Sequence, residues 1–268
     1  MSKRPMTVLD LWRIPRVAAP IPSPDGSAMV VPVTRYSMEA NKGTTRLYWI
    51  PAEARDAGSG DARDLARPIT SEDTSSSQPA FSPDGRWLAF VRTPGAGTKG
   101  AKHGDQPQLY LLSLEGGEAR RLTDLPLGVE DPRWFPDGGR IAFLSAIHPE
   151  APTVAGTAAH EKALTEDPVQ AWVTEDRVYR FWDRWLTREA VHHIFTVEVA
   201  SGLVTDLMPR WSRRFDLMDP SGQFQISPDG REITFAAERS TPPHDPMISG
   251  LFLCKVPRQG AASAPVCI

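Results

Sequence analysis

Cysteine is nearly missing from this chain: Cys254 and Cys267 are the only two among 268 residues. One falls in an expected strand and the other in the terminal segment, so two free thiols in a reducing compartment are expected rather than a disulfide scaffold. Long apolar runs are missing too. None approaches the ~18 residues of a membrane-crossing helix, and Met6 to Trp12, interrupted by Asp10, is too short for a signal-peptide core, so a cytoplasmic protein without a membrane partner is expected. Basic charge is not in excess. Thirty Lys and Arg against 33 Asp and Glu leave a formal charge of −3, which gives no electrostatic footprint for nucleic acid.

Several chemical signatures are absent as well. No Gly-x-Ser-x-Gly occurs, so the strained elbow that exposes a serine nucleophile has no candidate. The histidines, His103, His148, His160, His192, His193 and His244, show neither the i, i+4 spacing nor the paired Cys/His spacing of metal sites. His192 and His193 are neighbours on an expected strand and point to opposite faces, one inward and one outward. Gly95 to Gly100 lacks the spacing of a phosphate-binding loop and reads as a flexible connection. No catalytic, cofactor-binding or metal-ligating residue is therefore assigned, and no cofactor is expected.

What the chain has in quantity is proline and glycine, 26 and 20 residues. They are organised. Ser23-Pro24-Asp25-Gly26, Ser82-Pro83-Asp84-Gly85, Phe135-Pro136-Asp137-Gly138 and Ser227-Pro228-Asp229-Gly230 are each followed by a short apolar run, and their prolines are 59, 53 and 92 residues apart. Periods near fifty signal a propeller or an array of sheets. Proline presets φ for the second turn position, aspartate can bond backbone two residues on, and glycine accepts the positive φ that closes the reversal. Ser23, Ser82 and Ser227 are accordingly read as turn residues, and Asp25, Asp84, Asp137 and Asp229 likewise, since none stands in a calcium-loop run.

The unit is clearest around Ser82: Gln78 to Phe81, the turn, Arg86 to Val91, Gln108 to Leu114, Glu115-Gly116-Gly117-Glu118, and Ala119 to Thr123. That is a four-stranded meander. Trp87 to Val91 is apolar on consecutive positions, so both faces of its sheet need cover. Stacked four-stranded blades supply it, and the expected fold is all-β, a partial β-propeller of four-stranded blades over 21–268. Blades are expected at about 21–70, 78–123, 131–208 and 222–256, the third interrupted by an insertion over 146–186 and the last incomplete, with no outer strand in Pro257 to Ile268. Thr7-Val8-Leu9-Asp10 has the form of a capping box and marks a short N-terminal helix, ended by Pro15, within a leader over 1–20.

The insertion is the least regular stretch. Glu161, Glu166, Asp167, Glu175 and Asp176 precede Arg177-Val178-Tyr179-Arg180-Phe181-Trp182-Asp183-Arg184-Trp185, where arginines and aromatics alternate. Two readings stay open: an arginine and tryptophan lip that meets a peptide or partner domain, and an elongated hairpin packed on its blade.

The recurrent Ser-Pro-Asp-Gly, the leader Thr7 to Pro15 running into Ile21 to Gly26, and Tyr179 to Trp185 ahead of His193-Ile194-Phe195-Thr196-Val197 together resemble the N-terminal propeller of prolyl oligopeptidase-family serine peptidases, in the acylaminoacyl-peptidase and dipeptidyl-peptidase branch. The tetrapeptide alone is shared with TolB-like propellers. The resemblance implies a propeller that gates the access of short peptides to an α/β-hydrolase domain bearing a Ser-Asp-His triad, a domain absent from this sequence. The expectation is thus a non-catalytic propeller region whose partners are that hydrolase domain and short peptides. The alternative is a TolB-like protein-binding module.

Overall fold

The structure is a computed structural model describing residues 4–55, 65–93, 106–215, 217, 219–240, 248–257 and 262–268. The Gly95 to Gly100 loop, His103 and His244 lie outside the described residues. The chain divides into two compact units, Met1–Leu122 and Thr123–Ile268, each described by itself.

The first unit opens on α1 (Val8–Arg13). The Asp10 carboxylate accepts from the Thr7 N–H and hydroxyl, both at 2.8 Å, and from the Arg4 guanidinium at 2.5 and 2.6 Å. Those bonds, Arg4 first, hold the Asp10 carboxyl well below the usual carboxylate range. The helix buries no residue; Trp12 meets Tyr36 edge to face at 5.6 Å.

Two sheets follow in this unit. In the first, β3 (Ala28–Ser37) and β4 (Lys42–Pro51) pair over ten residues, and β5 (Arg67–Pro68) lines the far edge of β4. The other edge of β3 carries two short pieces, β1 (Arg16–Val17) and β2 (Ile21–Pro22). The leader expected to be separate through residue 20 thus already contributes a strand. The second sheet is the meander β6 (Ser75–Phe81), β7 (Trp87–Thr93), β8 (Gln108–Ser113), β9 (Arg120–Arg121). Val30 and Leu47 from one sheet pack with Leu88, Phe90, Tyr110 and Leu112 from the other. Leu88, Ala89, Phe90 and Val91 are buried in succession, as a strand covered on both faces must be.

The second unit repeats the plan. Its first sheet is β10 (Glu130–Trp134), β11 (Arg140–Ile147), β14 (Val191–Glu198), β15 (Val204–Asp206). Its second is β16 (Phe224–Ile226), β17 (Glu232–Glu238), β18 (Ser249–Lys255), β19 (Val266–Cys267). The last strand corrects the sequence reading, which expected none after Pro257. Val266 and Cys267 pair with Leu253 and Phe252, too short a segment to leave a period-two pattern. Between the sheets Phe135, Phe224, Phe235 and Phe252 pack around Trp211 and Phe215.

The insertion supplies α2 (Val154–Glu166) and the two-stranded hairpin β12 (Arg180–Phe181) and β13 (Arg184–Trp185). The helix was not anticipated. Its sequence is free of proline and holds four alanines with Glu161, Lys162, Leu164 and Glu166, good helix formers, and Thr153 caps it by accepting from the Gly156 N–H at 2.9 Å. Its apolar residues form no stripe, so hydrophobic periodicity could not reveal it.

The four Pro-Asp-Gly turns are built alike. In each, the glycine N–H donates to the carbonyl three residues earlier at 2.9–3.0 Å, and the glycine sits at φ between +67° and +71°. Where serine leads, its hydroxyl donates to the aspartate at 2.5–2.7 Å and accepts from the backbone N–H five residues on at 2.9–3.0 Å. These serines are spent on local backbone groups. A second recurrence lies four residues upstream of the turn prolines, at Pro20, Pro79 and Pro132. Beside the latter two, Gln78 (φ 50°) and Asp131 (φ 51°) form bulges in β6 and β10; at Pro20 the strand is split into β1 and β2. Proline donates no ladder bond, so the strand is interrupted wherever it recurs. Phe224 stands there in the fourth repeat, and β16 is regular.

Candidate functional site: the insertion and its cleft

All the groups of this site belong to the second unit. β11 runs out at Ile147, whose register partner is Val191, and the chain between them forms the insertion. α2 is fastened by polar contacts. Thr157, its single buried residue, accepts from the His148 N–H at 3.0 Å and donates to the Ala151 carbonyl at 3.3 Å. The buried His148 ring bonds Glu161 through Nε2 at 2.5 Å and lies 4.3 Å from the His160 ring.

The arginine and aromatic segment partitions by face. Trp185 is stacked nearly parallel on Trp172 at 5.5 Å, touches Tyr179 at 5.7 Å, and has the Arg180 guanidinium at 5.5 Å from its ring centre. Arg184 points the other way. It pairs with Glu189 and donates to the Leu217 carbonyl at 3.0 Å. Arg214 donates to the Leu186 carbonyl at 2.8 Å and faces Glu189 and Glu238, each at 3.6 Å. An ionic floor thus carries an aromatic upper face. At the hairpin tip Trp182 takes φ 52°, a conformation side chains rarely adopt, and is 79% exposed. Of the two readings of this segment, the hairpin is present but short, and its tip is not packed away.

Two openings flank this surface. One, of 370 Å³, is lined by His148, Glu150, Glu175, Asp176, Arg188 and Arg214 among others. The second, of 90 Å³, is bounded by Leu164, Val169, Trp172 and Arg188. Arg188 alone lines both. A larger cleft of 570 Å³ separates the two sheets of this unit, but its arginines Arg140 and Arg231 sit 3.7 Å from Asp137 and Asp229, so these charges face partners.

The remaining sequence candidates are structural. His193 is fully buried; Nδ1 meets Asp206 at 2.9 Å and Nε2 the Trp211 carbonyl at 3.0 Å. Its neighbour His192, on the opposite face, pairs with Glu130 at 2.8 Å. The histidine doublet is therefore one inward and one outward residue. Cys254 is buried, and desolvation first, then Asp206, pushes its thiol up to about 12, which removes it from nucleophilic chemistry. Both cysteines are free thiols. Among the described residues no three His, Cys, Asp or Glu side chains gather as a metal would require, and no helix is long and apolar enough to cross a membrane.

No protein-family model matches the chain. Among curated proteins, an uncharacterized peptidase, YuxL, of Bacillus subtilis is 32% identical over 249 residues, covering 91% of this chain and 33% of the relative. Dipeptidyl-peptidase 5 of Porphyromonas endodontalis is 24% identical over 224 residues, covering 82% and 29%. The chain thus spans about a third of the length of these relatives. Among solved structures, an acylaminoacyl peptidase of Pyrococcus horikoshii superposes with a TM-score of 0.58 at 13% identity, over 95% of this chain and 32% of that one. That likeness bears on the fold, which is a β-propeller portion made of four-stranded antiparallel blades.

Proposed function

We propose that this chain, a propeller portion homologous to curated peptidases, is the non-catalytic wall of a serine peptidase, admitting short peptides to an α/β-hydrolase domain carried on sequence outside it. One observation carries the reading: the insertion holds the exposed Trp172 and Trp182 beside a charged cleft, with Arg184 and Arg214 paired to Glu189 nearby. Aromatic faces and fixed charges are the means by which a surface grips an extended chain without reacting with it. The serines that recur in the sequence are bound up in turns, and no nucleophile elbow is present, so hydrolysis would rest with the separate domain. A cytoplasmic setting belongs to the same proposal and agrees with two free thiols.

Titration of the chain with short synthetic peptides, followed by tryptophan fluorescence, tests it. Saturable binding is expected for peptides and not for a folded protein that carries the same sequence in a rigid loop. Equal binding of the folded protein would replace the filter with a protein-docking module of the TolB-like kind.

A further inference from the structure

Within this unit most arginines near the insertion are committed. Arg184 and Arg214 answer Glu189 and Glu238, and Arg180 covers Trp185. Arg188 is different. It is exposed and makes no hydrogen bond, ion pair or ring contact among the described residues. Its backbone is held at φ 60° in the turn after β13, a conformation costing about 1–2 kcal/mol for a non-glycine residue. An uncommitted guanidinium in a strained turn, at the junction of a charged cleft and a tryptophan-walled pocket, is organised for something the chain does not itself supply.

We propose that Arg188 receives a carboxylate of the bound peptide while the adjoining apolar side chain of that peptide sits against Trp172, Val169 and Leu164. The guanidinium fork matches a carboxylate bidentately, and few other peptide groups use both of its arms. The surrounding charges orient the ligand. Glu150, Glu175 and Asp176 line the 370 Å³ opening and repel a carboxylate from it. Asp167, the acid of the smaller pocket, is turned to the Val169 N–H at 2.8 Å. The anionic end of a peptide is thereby left with Arg188. This inference rests on the peptide-filter reading and adds which peptide feature is read.

The carboxylate can be the chain terminus or an acidic side chain, and three N-acetylated peptides separate these: one ending in a free-acid phenylalanine, its C-terminal amide, and an amide with aspartate next to the phenylalanine. Calorimetric titration of the full chain is expected to show the free acid binding about tenfold more tightly than the amide, the scale of one charge-assisted contact. Arg188→Asn, a residue that tolerates positive φ, is expected to erase that difference while leaving the melting curve in place. Recovery of affinity by the aspartyl amide, lost in Arg188→Asn, would assign the contact to a side-chain carboxylate. Equal binding of the free acid, its amide and the aspartyl amide to the unaltered chain overturns the Arg188 assignment and leaves the filter standing. Binding of none of the three, with other short peptides also inert, overturns both.

Discussion

At the residue scale the recurrent aspartates do more than end a turn. Asp25 accepts from the Ser23 hydroxyl and from the Ser27 N–H and hydroxyl, and these bonds, Ser23 first, lower its carboxyl to about 2. Asp84 and Asp229 are lowered for the same reason, each by its leading serine first. A carboxyl whose pKa falls on folding binds fewer protons in the native state than in the unfolded one, where it lies near ~3.9. The stabilisation it gives is complete above that value and is lost as pH drops from about 4 towards 2. Carboxyl-carbon NMR titration of Asp25 should show a midpoint displaced to the acid side of a Ser23→Ala variant. Coincident midpoints would mean that the serine hydroxyl does not hold the carboxylate.

At the scale of elements the turns and strands were legible because glycine, proline and consecutive apolar residues have few conformational alternatives. Gly26, Gly85, Gly138 and Gly230 occupy the left-handed region that the turn chemistry called for. Trp87 to Val91 and Arg140 to Leu144 are strands buried on both faces. Less visible were features whose stability comes from elsewhere in the chain. β19 depends on the edge of β18, and α2 depends on His148 and Thr157 rather than on an apolar stripe. The candidate site was legible in its residues and not in its geometry: the aromatic and arginine alternation was plain, but Trp172, thirteen positions from Trp185, and Arg188, in a turn, were brought in by the fold. Thr157→Val keeps the shape and removes the hydroxyl that bridges His148 and Ala151, at a cost of about 1 kcal/mol or somewhat more, since the His148 N–H is left buried. Hydrogen exchange of α2 should accelerate while β11 and β14 remain protected. Unchanged exchange in α2 would show that the helix is held by other means.

At the scale of the whole molecule the fourth blade states what the chain leaves open. β17 buries Ile233, Phe235 and Ala237 and not the residues between them, and Leu251 of β18 remains half exposed. That is a sheet with one covered face, unlike β7 or β11. The curated relatives are about three times as long as the matched stretch. In this account the propeller portion shapes a passage and supplies no reacting group. Intact-mass analysis after incubation with a fluorophosphonate probe tests that claim most directly: the account predicts the unmodified mass, and a stoichiometric adduct on any one serine of the chain would contradict it.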